Sequence, residues 1–407
     1  ASSNMIDIAG EINDVFGEPL ENVEVKLCSN NQDANQSSVF TDNEGRYAFT
    51  ELQKDYDYKV VPELNQDFLK GVTTADLIHI QRHALGIDQF DSPYQLIAAD
   101  ADNSDNTTAI DILQLRKLIL GVYEELPNNN SYRYGTTGQE LPVENPWMIE
   151  ESVIIDNADE MHDNISFNAI KVGDVSSFES SAKNDDSTRK SNNNASALKT
   201  ENVNLRSGEL TSVIFSIEDA QDIEGLQFSF DMSAFEYFEL NGLGEYGQSY
   251  VFDESRDLLN VSWISEAASD MLEFELLVTA SESGSLADML KLDESKIEAL
   301  TFLGKNLEED KIELAFENVP LTANSVKLTP NPFQDMFNIE IESAGRNQVT
   351  IDIMDLSGRL LHRTNKTIGE GMHTETIYKS DIASYQGVMI VRVNNSGEIN
   401  TFRVISL

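Results

Sequence analysis

The stretch DADNSDNTTAIDILQLRKLILG, Asp100 to Gly121, decides how this chain is read, because it occurs twice. NQDFLKGVTTADLIHIQRHALG, Asn65 to Gly86, lies over it at a shift of 35 residues (100 − 65). Asn65 then meets Asp100, Asp67 meets Asp102, Thr73 meets Thr108, Asp76 meets Asp111, and Gly86 meets Gly121. The second copy sets side-chain oxygens at positions 1, 3, 5, 9 and 12 of a twelve-residue loop: Asp100, Asp102, Ser104, Thr108 and Asp111. That odd spacing lets one turn of backbone wrap a hard cation, and the position 7 carbonyl, from Asn106 or Gly71, adds a further oxygen. The first copy offers Asn65, Asp67, Gly71, Thr73 and Asp76, with Leu69 at position 5. The last carboxylate of each loop also opens a helix, where its charge is favoured at the positive end. Leu77, Ile80, Ala84 and Leu85 recur near helical spacing and are expected to form the buried face of the first helix.

A loop followed by one helix, twice, with Asp at position 12, resembles the type I dockerin family. The resemblance implies two calcium ions and a pair of helices that grip a cohesin module. Asp105 stands where the family has Gly at position 6, and Asn65 and Leu69 depart from its acidic pattern. The family's recognition positions fall on Thr74, Ala75, Gln81 and Arg82 after the first loop, and on Ala109, Ile110, Arg116 and Lys117 after the second. Three of these are cations in a very acidic chain, suited to steering an acidic partner.

Residues 1–63 alternate apolar and polar positions between turn signals, as in IDIAGEI and NVEVKLC, which argues for a small antiparallel sandwich. GEPLENVEVKL and TDNEGRYAF resemble the carboxypeptidase regulatory-like, or prealbumin-like, family. The dockerin-like module is expected over 64–126, an irregular extension packing on the first modules and closing on a strand around Phe167 to Val172 over 127–175, and a polar linker over 176–203. A second run of alternating strands covers 204–324. Its GLQFSFD, VSW and LLVTA segments resemble the cohesin-like β-sandwich. The final segment, 325–407, contains TPNPF, IMDLSGR and a closing hairpin from Gly387 to Leu407, and resembles the C-terminal sorting domain of the type IX secretion system. The fold class expected is therefore mainly β and multidomain, with immunoglobulin-like or prealbumin-like sandwiches and one small α-helical calcium-loop module.

Composition narrows the partners. Among 407 residues, 71 acidic side chains against 28 basic ones leave a formal charge of −43, a field that repels nucleic acid and anionic membranes and attracts divalent cations. One cysteine, Cys28, excludes an intramolecular disulfide. No apolar run reaches the ~18 residues of a membrane span. The sorting resemblance implies a secreted or surface location and handling by the type IX machinery, and an exported chain opening ASSNMIDIAG is expected to have lost a signal peptide already.

Other motifs carry less. Gly242 to Gly247 spells GLGEYG, but no helix pattern follows it, so it reads as a loop. His79 and His83 stand four apart on a helix without a third ligand and are expected on the helix surface. No nucleophile elbow or zinc-protease helix occurs. A non-catalytic, calcium-binding assembly protein is therefore expected, associating with protein partners: either other copies of itself, head to tail into a filament, or its own two halves folded onto each other, or a foreign partner for each. The competing expectation is a carbohydrate-binding or adhesin accessory protein using Tyr132, Tyr134, Trp147 and Trp263 as sugar platforms.

Overall fold

The computed structural model describes residues 4–30, 36–178, 195–267, 269–317, 326–343, 345–369, 371–395 and 398–407. The chain is mainly β, in three sandwiches with a helical module between the first and second.

The first sandwich uses β1 (Met5–Asp14), β2 (Glu24–Ser29), β3 (Gln36–Phe40), β4 (Arg46–Gln53) and β5 (Tyr56–Glu63). Three helices follow: α1 (Thr74–Ala84), α2 (Pro93–Ala99) and α3 (Ala109–Ile119). The extension at 127–175 has the closing strand expected near Phe167 to Val172, and two further strands where irregular chain was expected. It supplies β6 (Tyr132–Thr136), β7 (Val153–Ala158) and β8 (Phe167–Lys171). These complete two four-stranded sheets, ordered β4-β1-β8-β6 and β3-β2-β5-β7. The physical reason is edge satisfaction: β7 pairs antiparallel with β5 and β8 pairs parallel with β1, covering edges the first five strands leave open.

Strand β8 also joins two cores. Phe167 and Ala169 face the sandwich interior with Ile8, Ile12 and Val60, whereas Ile170 faces the helices, as the two-residue strand period requires. There it meets Leu77 and Ile80 of α1 and Leu115, Leu118 and Ile119 of α3. The expected apolar face of α1 is only half realised. Leu77 and Ile80 are fully buried, but Ala84 and Leu85 are exposed, because burial stops at Ile80 and Leu85 caps the helix.

The second sandwich contains β9 (Ser196–Glu201), β10 (Asn204–Leu205), β11 (Leu210–Glu218), β12 (Ile223–Asp231), β13 (Phe235–Asn241), β14 (Tyr250–Asp253), β15 (Leu258–Ile264) and β16 (Met271–Ala280). It is completed by β17 (Gly284–Ser285), β18 (Lys291–Leu292), β19 (Leu300–Leu303) and β20 (Glu308–Glu317). One sheet, ordered β13-β16-β11-β9-β20-β19-β12-β15-β14, carries inward Phe215, Phe228, Phe230 and Phe274 in a single core. Strand β9 falls inside the span expected to be a polar linker. It is held there by parallel pairing with β20 and antiparallel pairing with β11. The remainder of that span, 179–194, lies outside the described residues.

The third sandwich contains β21 (Val326–Thr329), β22 (Met336–Ser343), β23 (Asn347–Asp355), β24 (Leu360–Ile368), β25 (Gly371–Tyr378), β26 (Gly387–Asn395) and β27 (Glu398–Ser406). Its sheets, β21-β22-β25 and β24-β23-β26-β27, enclose Phe337, Ile339, Ile353 and Val391. Ser212 of the second sandwich donates a backbone hydrogen bond to the Asn331 carbonyl, 3.0 Å, linking the two.

Candidate functional site

The second loop forms where α2 ends and α3 begins. Asp100 caps α2 and is fully buried. Its Oδ1 accepts from Ser104 N–H and its Oδ2 from Asp105 N–H, each at 2.9 Å. Thr108 caps α3 through a reciprocal box in which Asp111 Oδ2 accepts from Thr108 N–H at 2.7 Å. Asp111 Oδ1 accepts from Asp102 N–H at 3.1 Å, which folds the loop back over the helix start. Asn103 and Asp105 make this turn with φ of 57° and 60°, so Asp105 adopts the left-handed conformation for which position 6 favours Gly.

The outcome is a convergence of Asp100, Asp102 and Asp111, with one carboxylate oxygen from each within 4.8 Å of the others. Asp102 Oδ1 is buried and has no hydrogen-bond partner. Burial pushes the Asp100 carboxyl up to about 6 despite the two N–H donors, and it raises Asp111, which also feels the charge of Asp102. Three acids held this close without a cation repel one another, and a partnerless buried oxygen among them suits a hard cation. Ser104 and Asn106 lie exposed on the loop, and Thr108 Oγ1 accepts from Ile110 N–H. Among the expected ligands of this loop, the three aspartates are therefore the ones brought together.

The first loop is built differently. Asn65, Asp67 and Gly71 are exposed, and Asn65 Oδ1 accepts from Ser131 N–H at 3.0 Å, outside the loop. Thr73 caps α1 and Asp76 is fully buried. Asp76 Oδ2 accepts from Thr73 N–H at 2.7 Å, and Oδ1 accepts from Val175 and Ser176 N–H, each at 2.8 Å. Burial, and then the charge of Asp174, push Asp76 up to about 7. Asp67 and Asp76 are the two carboxylates this loop itself supplies, against four in the second. Chain from beyond residue 130 thus supplies donors to the position 1 and position 12 side chains of this loop.

The residues expected to bind a partner divide sharply. Thr74, Ala75 and Arg82 of α1 lie against the second sandwich of the same chain. Thr74 N–H donates to Gln227 Oε1 at 2.7 Å, and Thr74 Oγ1 shares a hydrogen bond with Ser262 Oγ at 2.7 Å. Arg82 Nη1 donates to the Lys305 carbonyl at 2.7 Å and Nη2 lies 3.3 Å from Glu224. Ala75 and Ile78 pack on Leu300, Phe302 and Leu307. By contrast Gln81, Ala109 and Ile110 are exposed. Lys117 lies over the Tyr123 ring at 5.2 Å, and Arg116 is half-buried, with Nε lacking a partner.

The receiving surface was missed in the sequence. Gln227, Ser229, Asn260 and Ser262 alternate with core residues, and all four are buried. Gly225 lets the helix approach, since a Cβ there would stand 3.0 Å from Ile78 Cδ1. Asn260 Nδ2 donates to Leu120 O at 3.0 Å, at the C-terminal end of α3. Lys296 brings its ammonium to the same end, 3.6 Å from Glu124, where positive charge is favoured.

The remaining candidates resolve as packing. Tyr132 and Tyr134 are buried, and Trp147 and Trp263 are half-buried in the helical and second-sandwich cores, so the expected sugar platforms are core side chains. His79 is buried rather than on the helix surface, because that side of α1 faces the sheet and the module core. His83 stacks on Phe90 with ring centroids 4.4 Å apart. Gly242, Gly244 and Gly247 lie in the connection between β13 and β14.

No curated protein matches the chain. Among solved structures, a DUF3823 family protein from Parabacteroides merdae is 8% identical, with 99% of this chain and 100% of that one covered, at a TM-score of 0.18. BcpA, the major pilin subunit of Bacillus cereus, is 7% identical, with 99% and 97% covered, at 0.22. Latent PorU from Porphyromonas gingivalis is 9% identical, with 95% and 30% covered, at 0.19. Scores this low carry no argument about this chain. Residues 327–406, the third sandwich, match the family model of the secretion system C-terminal sorting domain, and the chain is therefore a type IX export substrate destined for the cell surface or the extracellular space.

Proposed function

We propose that this is a non-catalytic, calcium-binding structural protein of the cell surface, in which a dockerin-like helical module grips a cohesin-like sandwich. The observation that carries this reading is the seating of α1 on β12 and β15 through Thr74, Gln227 and Ser262, flanked by Arg82 on Glu224. Polar side chains at strand centres are costly to bury unless each finds a partner, and here the helix supplies partners. Asp100, Asp102 and Asp111 would hold the calcium ion of the second loop. The ion neutralises three facing carboxylates and fixes the start of α3, and with it the Leu120 carbonyl at its far end that Asn260 meets.

Within one chain the contact closes the molecule on itself. Made between chains, it is heterologous, and a heterologous contact that fails to close builds an open filament. Such exchange would turn the docking pair into the surface assembly. Sedimentation and negative-stain microscopy of the full chain, with calcium and with chelator, test the reading. The expectation is a compact particle or ordered oligomers in calcium and loss of that order in chelator. Identical profiles in both conditions would sink it.

A further inference from the structure

We infer that the first loop takes no metal and that the ammonium of Lys171 is its resident cation, so that the chain holds one calcium ion rather than two. The inference goes beyond the proposed function and rests on it only for the one ion at the second loop.

At positions 1 and 12 the first loop is met by groups from just before β6 and from the turn after β8. Ser131 occupies the position 1 side chain: its N–H donates to Asn65 Oδ1, and its Oγ accepts from Gln66 N–H at 3.1 Å. The position 12 carboxylate is satisfied by three backbone N–H groups, two of them from Val175 and Ser176. In the second loop the matching Asp111 oxygens accept from Thr108 and Asp102, both within the loop itself. Position 5 is Leu69, which packs against the helical core.

Positive charge is supplied as well. Lys171, the last residue of β8, donates from Nζ to Phe68 O at 2.8 Å and to Val172 O at 3.1 Å, and lies 5.5 Å over the Tyr132 ring. Phe68 is position 4 of the first loop, so the ammonium is anchored directly on the loop backbone. Burial pulls this ammonium down to about 8, and the carboxylates of Asp174, Asp76 and Asp67 act against that pull. Asp174 stands beside Gly71, at position 7, its Oδ2 2.4 Å from where a Cβ would be. A loop already holding one cation and a satisfied carboxylate has little to offer a second, divalent one, because dehydrating calcium requires several free oxygens in exchange.

Metal content and calorimetry on the full-length protein test this, using calcium as the probe, with D67N, D102N and K171M. One ion per chain, lost in D102N and kept in D67N, is the expected result. K171M should retain that ion yet melt about 3 to 8 °C lower, with added calcium failing to restore it. Two ions per chain, or one ion lost in D67N and kept in D102N, would overturn the inference. An unchanged melting temperature in K171M would remove Lys171 from the role. No ion at all, with K171M still destabilised, would instead sink the calcium reading of the second loop while leaving the first loop as described.

Discussion

Thr74 Oγ1 and Ser262 Oγ share a hydrogen bond of 2.7 Å across 188 residues of chain, both buried, and a neighbouring bond runs from Thr74 N–H to Gln227. The pair marks the centre of the contact between the helical module and the second sandwich.

Removing one partner leaves the others buried without a bond. Thr74→Val should therefore cost about 1 to 3 kcal/mol, more than a surface substitution, as read from chemical denaturation. Combining it with Ser262→Ala should recover part of the loss, because both halves of that pair are then gone. Simple additivity of the two costs would count against a shared bond.

Gly225 is the point of closest approach for α1. Gly225→Val places carbon where Ile78 Cδ1 and the Trp263 carbonyl already stand, 3.0 and 2.9 Å from a Cβ. The expected outcome is undocking with the second sandwich still folded, seen as a larger scattering radius. An unchanged radius would mean that the helix shifts and stays seated.

Calcium should stabilise the chain in a concentration-dependent way, by about 2.7 kcal/mol at a hundred times its dissociation constant. Asp111→Asn should abolish that gain. It also weakens the α3 cap, so the readout is the calcium-dependent difference in melting temperature rather than the melting temperature itself.

Protons and calcium compete at Asp100. Its carboxyl in the metal-free chain is raised to about 6, chiefly by burial, above the ordinary value of 3.8. A raised carboxylate favours the folded state below its ordinary range and loses that contribution as pH rises through about 6. Metal-free protein should thus weaken between pH 4 and 7, while the calcium-induced gain grows over the same interval. Melting curves with and without calcium at pH 5 and 7.5 check this, and an equal gain at both values would contradict it.

Much of this molecule was legible one segment at a time. The shift of 35 residues exposed the repeat, the two Thr and Asp pairs marked the helix starts, and strand alternation gave the sandwiches. Those features are local: backbone period and capping depend on residues three or four apart, so the order of amino acids determines them directly. The three converging aspartates of the second loop belong to the same class, since all lie within twelve residues.

What the sequence left open is carried by partners far apart in the chain. Asn65 and Ser131, Asp76 and Val175, Thr74 and Gln227 meet across 66, 99 and 153 residues. No periodicity records such pairs, and Gln227, Ser229, Asn260 and Ser262 have the same outward spacing whether they face water or a helix. Tertiary structure alone decided that they face a helix, and that distant chain reached the first of two related loops while Asp102 Oδ1 of the second kept no partner. The reason is that burial is a property of what arrives on a face, and that is settled only when distant segments pack.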